Sequence, residues 1–222
     1  PYFAHARCSF WLAYRGTTPV GRISAQIDEL HEERYRDATG FFGFLEAENE
    51  AGTFHRLLST AEGWLRDQGM LRIRGPFNFS INQECGLLVD GYETPPMIMM
   101  GHSRPYYAAR LTAEGYQGVK DLLAYRLSTH FTPPEFMKAV LNKAGGCARV
   151  RPLRRSRLNE DLEIIEDIFE DAWSTNWGFI PFTEDEVRHL GYNLRLLVDD
   201  DAVQIAEVDG LPAAMIVALP HI

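Results

Sequence analysis

The chain has 222 residues, of which 45% are hydrophobic and 24% are charged, and its formal net charge is −9. This balance is ordinary for a soluble globular protein, and its acidity argues against binding of duplex nucleic acid, which normally requires a basic surface. No apolar run reaches the roughly 18 residues of a transmembrane helix, and no signal peptide is visible. The cysteines, Cys8, Cys85 and Cys147, are irregularly spaced and indicate neither a disulfide framework nor a zinc site. We therefore expect a cytoplasmic protein without a metal.

The first half of the chain predicts one α/β unit, residues 1–127. Apolar strands at 9–15 and 20–28 are joined by a turn, and a third strand covers 40–46. A helix follows between residues 53 and 69, where apolar side chains recur at helical spacing. The remaining predicted elements are a strand at 71–74, a helix at 105–115 and a strand or bent strand pair at 119–127. This order predicts a mixed, mostly antiparallel sheet flanked by helices, in the α/β (α+β) class.

The second half predicts a connector and the start of another unit. Residues 128–147 contain a helix that begins at a Thr132–Glu135 capping box and is expected to end at Gly145-Gly146. The second unit, residues 148–222, has a strand at 148–153, a helix capped by Asn159, a helix opened by Thr183 and Glu186, and a hairpin around Asp209-Gly210. Its final hairpin is weakly similar to the first hairpin of the chain, which is compatible with two copies of one fold.

Both ends of the chain interrupt a strand pattern. The sequence begins at Pro1 without an initiator methionine, and the apolar strand pattern at residues 213–219 is followed by only three residues. Strands need hydrogen-bonding partners. We therefore expect the chain to be a fragment of a longer polypeptide.

Residues 75–107 combine polar side chains, glycines and prolines in a segment that is too apolar for a solvated loop. In an extended backbone, alternate residues share one side, which would align four polar groups: Asn78, Ser80, Asn82 and Glu84. Phe77, Phe79 and Ile81 would then face a core. Such a row of polar side chains could bind a small polar ligand, but it is also typical of a loop whose side chains form hydrogen bonds with its own backbone. The chemistry alone slightly favours the loop.

A dense group of basic residues begins the second predicted unit. Its members are Arg149, Arg151, Arg154, Arg155 and Arg157. They suit either a solvated strand end and turn or a phosphate site. We favour the solvated strand end.

Several short sequence segments are similar to one known family. They include VGRISAQIDELH, TGFFGFLEAEN, GPFNFSINQECGLLVDGY, PPMIMM, PYY and WSTNWGFIPFTEDEV. Together with the element order, they resemble a bacterial family of tandem proteins with the acyl-CoA N-acyltransferase (GNAT-like) fold, some of whose relatives are bacterial ceramide synthases. The resemblance covers nearly the whole chain. It implies one near-complete GNAT-like unit, a connector and the first part of a second unit.

The resemblance also implies where coenzyme A should bind, and the sequence departs from that pattern. The superfamily holds the pyrophosphate on a glycine-rich loop between the fourth strand and the next helix. Here residues 46–52 read EAENEAG, and their three carboxylates would repel a pyrophosphate. We therefore assign no cofactor-binding residues and expect no cofactor in this fragment, with an acyl-CoA or another acyl thioester as co-substrate of an intact enzyme.

The resemblance implies roles for several of the residues singled out above. Glu84 would act as a base if burial raises its pKa, and Tyr107 would act as the acid that protonates the departing thiolate, although an aromatic core role is equally consistent. Asn78, Ser80 and Asn82 would line the substrate. Trp177 and Phe179 would lie along the acceptor site, although a tryptophan pair around a helix end, here Trp173 and Trp177, usually packs in a core.

Three functions stay open at this point. The first is an acyl-CoA-dependent N-acyltransferase, in which an amine attacks a thioester. The second narrows the acceptor to an amino-lipid and predicts an apolar cleft formed by Met97, Met99, Trp177 and Phe179. The third is a non-catalytic binding or structural module with the same fold, which the acidic residues at 46–52 favour. The expected partners are a small-molecule or amino-lipid acceptor and either a second copy or an intramolecular partner unit.

Overall fold

The computed structural model describes residues 1–128, 130–144 and 148–220. They group into two compact units. The first comprises Pro1–Asp121 and Asn176–Pro181, and the second the described parts of Leu122–Thr175 and Phe182–Ile222. The helix end expected at Gly145-Gly146, and Cys147, lie outside the described residues.

The first unit contains a four-stranded sheet, a separate two-stranded hairpin and three α-helices within its described residues. The elements are β1 (Ala6–Arg15), β2 (Thr18–Asp28), α1 (Glu29–Tyr35), β3 (Thr39–Ala47), α2 (Ala51–Asp67), β4 (Arg72–Arg74), β5 (Phe77–Asn78), β6 (Glu84–Cys85) and α3 (Tyr106–Ala113), after a short 3-10 turn at Tyr2–Ala4. The sheet order is β1-β2-β3-β4, and only the β3–β4 pair is parallel. The predicted mixed, mostly antiparallel sheet is therefore confirmed.

The core of the first unit lies between this sheet and α2. Helical spacing places Phe54, Leu57, Leu58, Ala61 and Leu65 on one face of α2, where all are buried. Burial of each large apolar side chain there stabilises the unit by about 1.5–3 kcal/mol. This packing confirms the helix that the spacing predicts.

Helix α1 is absent from the sequence-based prediction. It follows β2 directly, and Asp28 is both the last strand residue and the N-cap, because its Oδ1 accepts a hydrogen bond from the Leu30 N–H at 3.0 Å. The helix has only seven residues and buries His31. A strand that runs into a short helix leaves little periodicity to detect.

The strand predicted at residues 119–127 is wrong. Within the described residues these positions belong to no helix or strand, and their apolar side chains are exposed, with Leu123 at 73% and Leu127 at 86%. A strand needs a neighbour to satisfy its backbone, and no described strand pairs with this segment.

The extended row predicted from Asn78 to Glu84 is also wrong. Strands β5 and β6 are two residues long and pair Asn78 with Glu84, so the residues between them form a turn. In this turn the Ser80 hydroxyl accepts a hydrogen bond from the Asn82 N–H at 3.2 Å, and Ser80 is buried. The side chains of this segment form hydrogen bonds with its own backbone N–H groups, as the loop interpretation expects.

The second unit has a three-stranded antiparallel sheet in the order β7-β8-β9. Its elements are α4 (Glu135–Ala144), β7 (Ala148–Pro152), α5 (Leu158–Trp173), α6 (Glu184–Leu197), β8 (Val203–Val208) and β9 (Leu211–Val217), with 3-10 turns at Arg155–Arg157 and Asp200–Ala202. The Thr183–Glu186 capping box and the Asp209-Gly210 turn are confirmed. Asn159 is not the cap of α5, because the preceding 3-10 turn leads directly into a helix that begins at Leu158, and the N-cap is Arg157, two residues before Asn159.

Two arginines of the basic group, Arg151 and Arg154, hold a buried carboxylate, whereas the other three members are exposed, as the solvated strand end predicts. Asp161 is fully buried and accepts hydrogen bonds from Arg151 Nη1 and Nη2, both at 2.9 Å, and from the Arg154 N–H at 2.8 Å. Burial alone would raise the pKa of Asp161, but the hydrogen bonds and charges of Arg154 and Arg151 outweigh it and hold this pKa far below its usual range. Arg151 also pairs with Glu207 at 2.6 Å. Arg151 and Arg154 are therefore structural.

Candidate functional site

A pocket of about 300 Å³ lies in the first unit, on the face of the sheet opposite α2. Its floor is formed by Arg22 of β2 and by Phe44 and Glu46 of β3, and its walls come from residues 76–103 and from α3. This volume is at the small end of the range for ligand pockets. It suits a small polar group or the head of a larger molecule.

The pocket exists because the segment after β4 lies directly on the sheet. A Cβ atom at Gly43 would lie 1.8 Å from the carbonyl oxygen of Phe77, so only glycine permits this approach. Gln26, which is fully buried, donates from Nε2 to the carbonyl oxygens of Phe77 at 2.6 Å and of Phe79 at 3.2 Å. The β5–β6 hairpin is thereby fixed over β2 and β3.

Asn78 and Glu84 meet at the pocket and form a short hydrogen-bonded chain. The Phe44 N–H donates to Asn78 Oδ1 at 2.7 Å, and Asn78 Nδ2 donates to Glu84 Oε1 at 2.6 Å. The first bond orients the amide, so that its NH₂ group faces the carboxylate. Within the described residues Glu84 has no ion pair with a basic side chain. A ligand ammonium group would supply one.

Tyr107 lines the same pocket but is only 3% exposed. Its hydroxyl accepts a hydrogen bond from the Ala47 N–H at 2.9 Å and donates to Glu46 Oε2 at 2.9 Å. Burial, together with the hydrogen bond and charge of Glu46, raises the pKa of Tyr107 well above its ordinary value of 10.0, although the Ala47 bond opposes this. The hydroxyl is buried and bound to the end of β3 through Ala47 and Glu46, as the aromatic core role expects, and the role of Tyr107 as an acid stays a prediction.

Four further polar residues of the pocket are absent from the predicted site. They are Arg22, Glu46, His102 and Ser103. Arg22 and Glu46 are cross-strand partners, which only the sheet register could reveal. His102 and Ser103 lie four and three residues before the start of α3. His102 Nε2 lies 3.2 Å from the Tyr92 carbonyl oxygen, and the Ser103 hydroxyl donates to the Leu88 carbonyl oxygen at 3.3 Å. In the sequence, the one indication of a role for His102 and Ser103 is their position just before the helix predicted at residues 105–115.

The acidic residues between β3 and α2 have partners of their own. Arg15 pairs with Glu48 and, at 3.5 Å, with Glu50. The Thr53 hydroxyl donates to Glu48 Oε1 at 3.3 Å. The loop therefore presents bound carboxylates at the start of α2, where a pyrophosphate would need free N–H groups.

The other predicted site residues lie in a second cluster of the first unit. Asn82 Nδ2 donates to the carbonyl oxygen of Ile180 at 2.9 Å, and Tyr35 Oη donates to that of Phe179 at 2.9 Å. The guanidinium carbon of Arg74 lies 5.5 Å from the centre of the Trp177 ring, and that of Arg34 lies 5.1 Å from the centre of the Phe179 ring. These contacts hold segment Asn176–Pro181 against the turn between β5 and β6.

The structure thus places the predicted site residues in two separate groups. Asn78, Glu84 and Tyr107 line the pocket, whereas Ser80, Asn82, Trp177 and Phe179 do not. Met97 and Met99 of the predicted apolar cleft are each 48% exposed, Phe179 is buried, and none of them lines the pocket. That cleft stays a prediction.

The comparison with known proteins adds evidence of descent. The chain is a homologue of a bacterial ceramide synthase. That protein, from Caulobacter vibrioides (strain NA1000 / CB15N), is 41% identical over 224 residues, which cover 100% of the chain and 58% of the synthase. Protein YghO of Escherichia coli (strain K12) is 44% identical over 213 residues, 96% of the chain and 55% of YghO. The chain therefore spans little more than half the length of these relatives.

These homologues agree with the resemblance drawn from the sequence segments, which predicts bacterial ceramide synthases among the relatives of the chain. No family model matches the chain. No solved structure matches it either. Among the described residues no helix is long and apolar enough to cross a membrane. No group of three or more His, Cys, Asp or Glu side chains in the described ranges could hold a metal ion.

Proposed function

We propose that the natural protein containing this chain is an N-acyltransferase that joins an acyl group from an acyl-CoA, or another acyl thioester, to the amine of an amino-lipid. The pocket of the first unit binds the acceptor amine in this proposal. The observation that carries it is Glu84, a carboxylate in a small pocket that is oriented by Asn78 and has no basic partner among the described residues. The name of the Caulobacter vibrioides relative, a ceramide synthase, supports an amine-bearing lipid as acceptor.

The proposed fold of each unit is the GNAT-like fold. In the first unit, the support is the hairpin β1–β2, followed by the β3–α2–β4 crossover with β3 and β4 parallel. The proposed pocket then lies next to Pro76, just after β4, where this fold opens to admit its ligand. The segment that covers it is an insertion where the fold usually has a short connection.

The proposed chemistry is a balanced acyl transfer. The amine nitrogen attacks the thioester carbonyl carbon, the C–N bond forms, the C–S bond breaks and the coenzyme leaves as a thiol. Glu84 accepts the proton that the attacking nitrogen loses and passes it to the departing thiolate, which thereby leaves as the thiol, and Asn78 holds the carboxylate in position. Residues 46–52 do not fit a pyrophosphate, so we assign the acyl-CoA no binding residues in the first unit.

A second candidate function is a non-catalytic module that binds the amine without transferring an acyl group to it. The observation in its favour is the acidic loop at the start of α2, whose Glu48 and Glu50 carboxylates are engaged by Arg15. In this case the pocket would recognise an amine for another part of the protein.

Calorimetry on the 222-residue chain tests the amine site common to both candidates. Hexylamine is expected to bind about tenfold or more tightly than hexanol, because a charge-assisted hydrogen bond to Glu84 contributes about 1.5–3 kcal/mol. Glu84→Gln should remove this preference, whereas Glu33→Gln, at an exposed position of α1, should keep it. Equal binding of the amine and the alcohol by the unmodified chain would refute the site.

A further inference from the structure

Strand β1 exposes a row of large apolar side chains. Phe10, Leu12 and Tyr14 alternate along the strand and are 56%, 59% and 57% exposed. The residues between them, Trp11 and Ala13, pack toward the core on the other face of the sheet. We call Phe10, Leu12 and Tyr14 the apolar row.

The apolar row is exposed because the backbone of residues 77–79 covers β2 and β3 but not β1. β1 lies at the edge of the sheet, and the backbone of residues 77–79 lies on β2 and β3, where it contacts Gln26 and Gly43. The apolar row therefore stays open on the same face of the sheet as the pocket.

The row also borders the pocket directly. Leu12 is the cross-strand partner of Arg22, which forms part of the pocket floor. Phe10 is in contact with Phe79, at 6.1 Å between ring centroids, and Phe79 in turn contacts Phe44 of the pocket at 4.7 Å. A continuous apolar surface thus leads from Phe44 to the outer edge of β1.

We propose that the apolar row binds the hydrocarbon chain of the amphiphile whose amine lies beside Glu84. This inference rests on the proposed function and assigns the place of the lipid chain. The pocket, at about 300 Å³, holds a polar head but not a long chain as well. The surface changes from polar at Glu84 to apolar at Phe10 and Leu12, in the same order as the head and tail of an amino-lipid.

The dimensions of the row favour a single alkyl chain over a protein partner. Phe10 and Tyr14 are four residues apart on one strand, a span of about 13 Å. A stable protein interface buries roughly 800 Å² on each partner, far more than three side chains of one strand present. A hydrocarbon chain is narrow enough to be covered by one such row.

A chain-length series tests this inference with the 222-residue chain. Hexylamine, octylamine and decylamine are titrated below their micellar concentrations. Affinity is expected to rise by up to about fourfold for each methylene that the row buries, from the transfer free energy of a methylene group. Leu12→Ser and Tyr14→Ser should flatten this dependence. Leu71→Ser, at a position 89% exposed beside β4, is the matched control and should leave it unchanged.

The possible outcomes separate this inference from the proposed function. If the amine is preferred over the alcohol but affinity does not rise with chain length, the inference is overturned and the amine site stands. If affinity rises with chain length but alcohols bind as well as amines, the proposed function fails and the inference falls with it. Circular dichroism confirms that each variant folds.

A vesicle experiment distinguishes a bound chain from a membrane surface. The unmodified chain and Leu12→Ser are mixed with phosphatidylcholine vesicles and sedimented. If Leu12→Ser abolishes adsorption to vesicles but leaves decylamine binding intact, the row is a membrane contact and the inference is wrong. We expect the opposite pattern, in which decylamine binding depends on Leu12 and adsorption does not.

Discussion

Replacement of Glu84 by glutamine is expected to lower amide formation by the natural full-length protein by about a hundredfold to ten-thousandfold, the usual contribution of a positioned general base. Glutamine has nearly the same size, and its carbonyl oxygen can still accept the hydrogen bond that Asn78 now donates to Glu84. The variant therefore removes the proton acceptor with little change of packing. The rate of amide formation under saturating substrate measures the effect.

Two controls make this result specific. Glu33→Gln removes one carboxylate from the exposed face of α1 and should keep full activity. A Glu84→Asp variant keeps the carboxylate but shortens the side chain, so it should retain part of the rate. Turnover of Glu84→Gln at the unmodified rate would show that Glu84 is not the base.

Asp161→Asn is expected to destabilise the second unit by about 3 kcal/mol, because the neutral amide loses the charge-assisted hydrogen bonds that Arg151 and Arg154 donate to the buried carboxylate. Asp161 is fully buried and accepts two hydrogen bonds from Arg151. Hydrogen exchange of the β8 amides, Val203–Val208, measures the loss. Asp167→Asn, at an exposed position of α5, is the matched control and should change protection very little.

The destabilisation by Asp161→Asn should depend on pH in a defined direction. The pKa of Asp161 is lowered in the folded protein, so its contribution is present above the unfolded pKa of about 3.9 and is lost as the pH falls toward the folded value. The difference between the unmodified chain and Asp161→Asn should be full at neutral pH and should shrink below about pH 4. A difference that stays constant across this range would contradict the ion-pair explanation.

Several regular elements of both units could be predicted from local patterns, although α1 could not. Helical spacing of apolar residues locates α2, and the Asp209-Gly210 turn locates the β8–β9 hairpin. The apolar residues at 119–127 also predict a strand or bent strand pair, but a strand requires a partner that lies elsewhere in the chain. The pattern within the segment carries no information about that partner.

The candidate site was only partly visible in the sequence. The sequence singles out Asn78 and Glu84 as polar residues of an unusual segment, and both line the pocket, but the extended row expected for them is wrong. They meet because β5 and β6 pair across a turn. The position of that turn depends on Gly43 and Gln26, which lie more than thirty residues earlier, so no local rule could place it.

The central claim is that the pocket beside Glu84 presents an amine to an acyl thioester. The most direct test is to incubate the natural full-length protein with a long-chain acyl-CoA and a sphingoid base, and to follow the amide by mass spectrometry together with the release of free coenzyme A. The account predicts amide and free coenzyme A in equal amounts, with the Glu84→Gln variant strongly impaired. No amide with any acyl-CoA, by a protein that nevertheless binds the amine at this pocket, would contradict catalysis and leave a binding module.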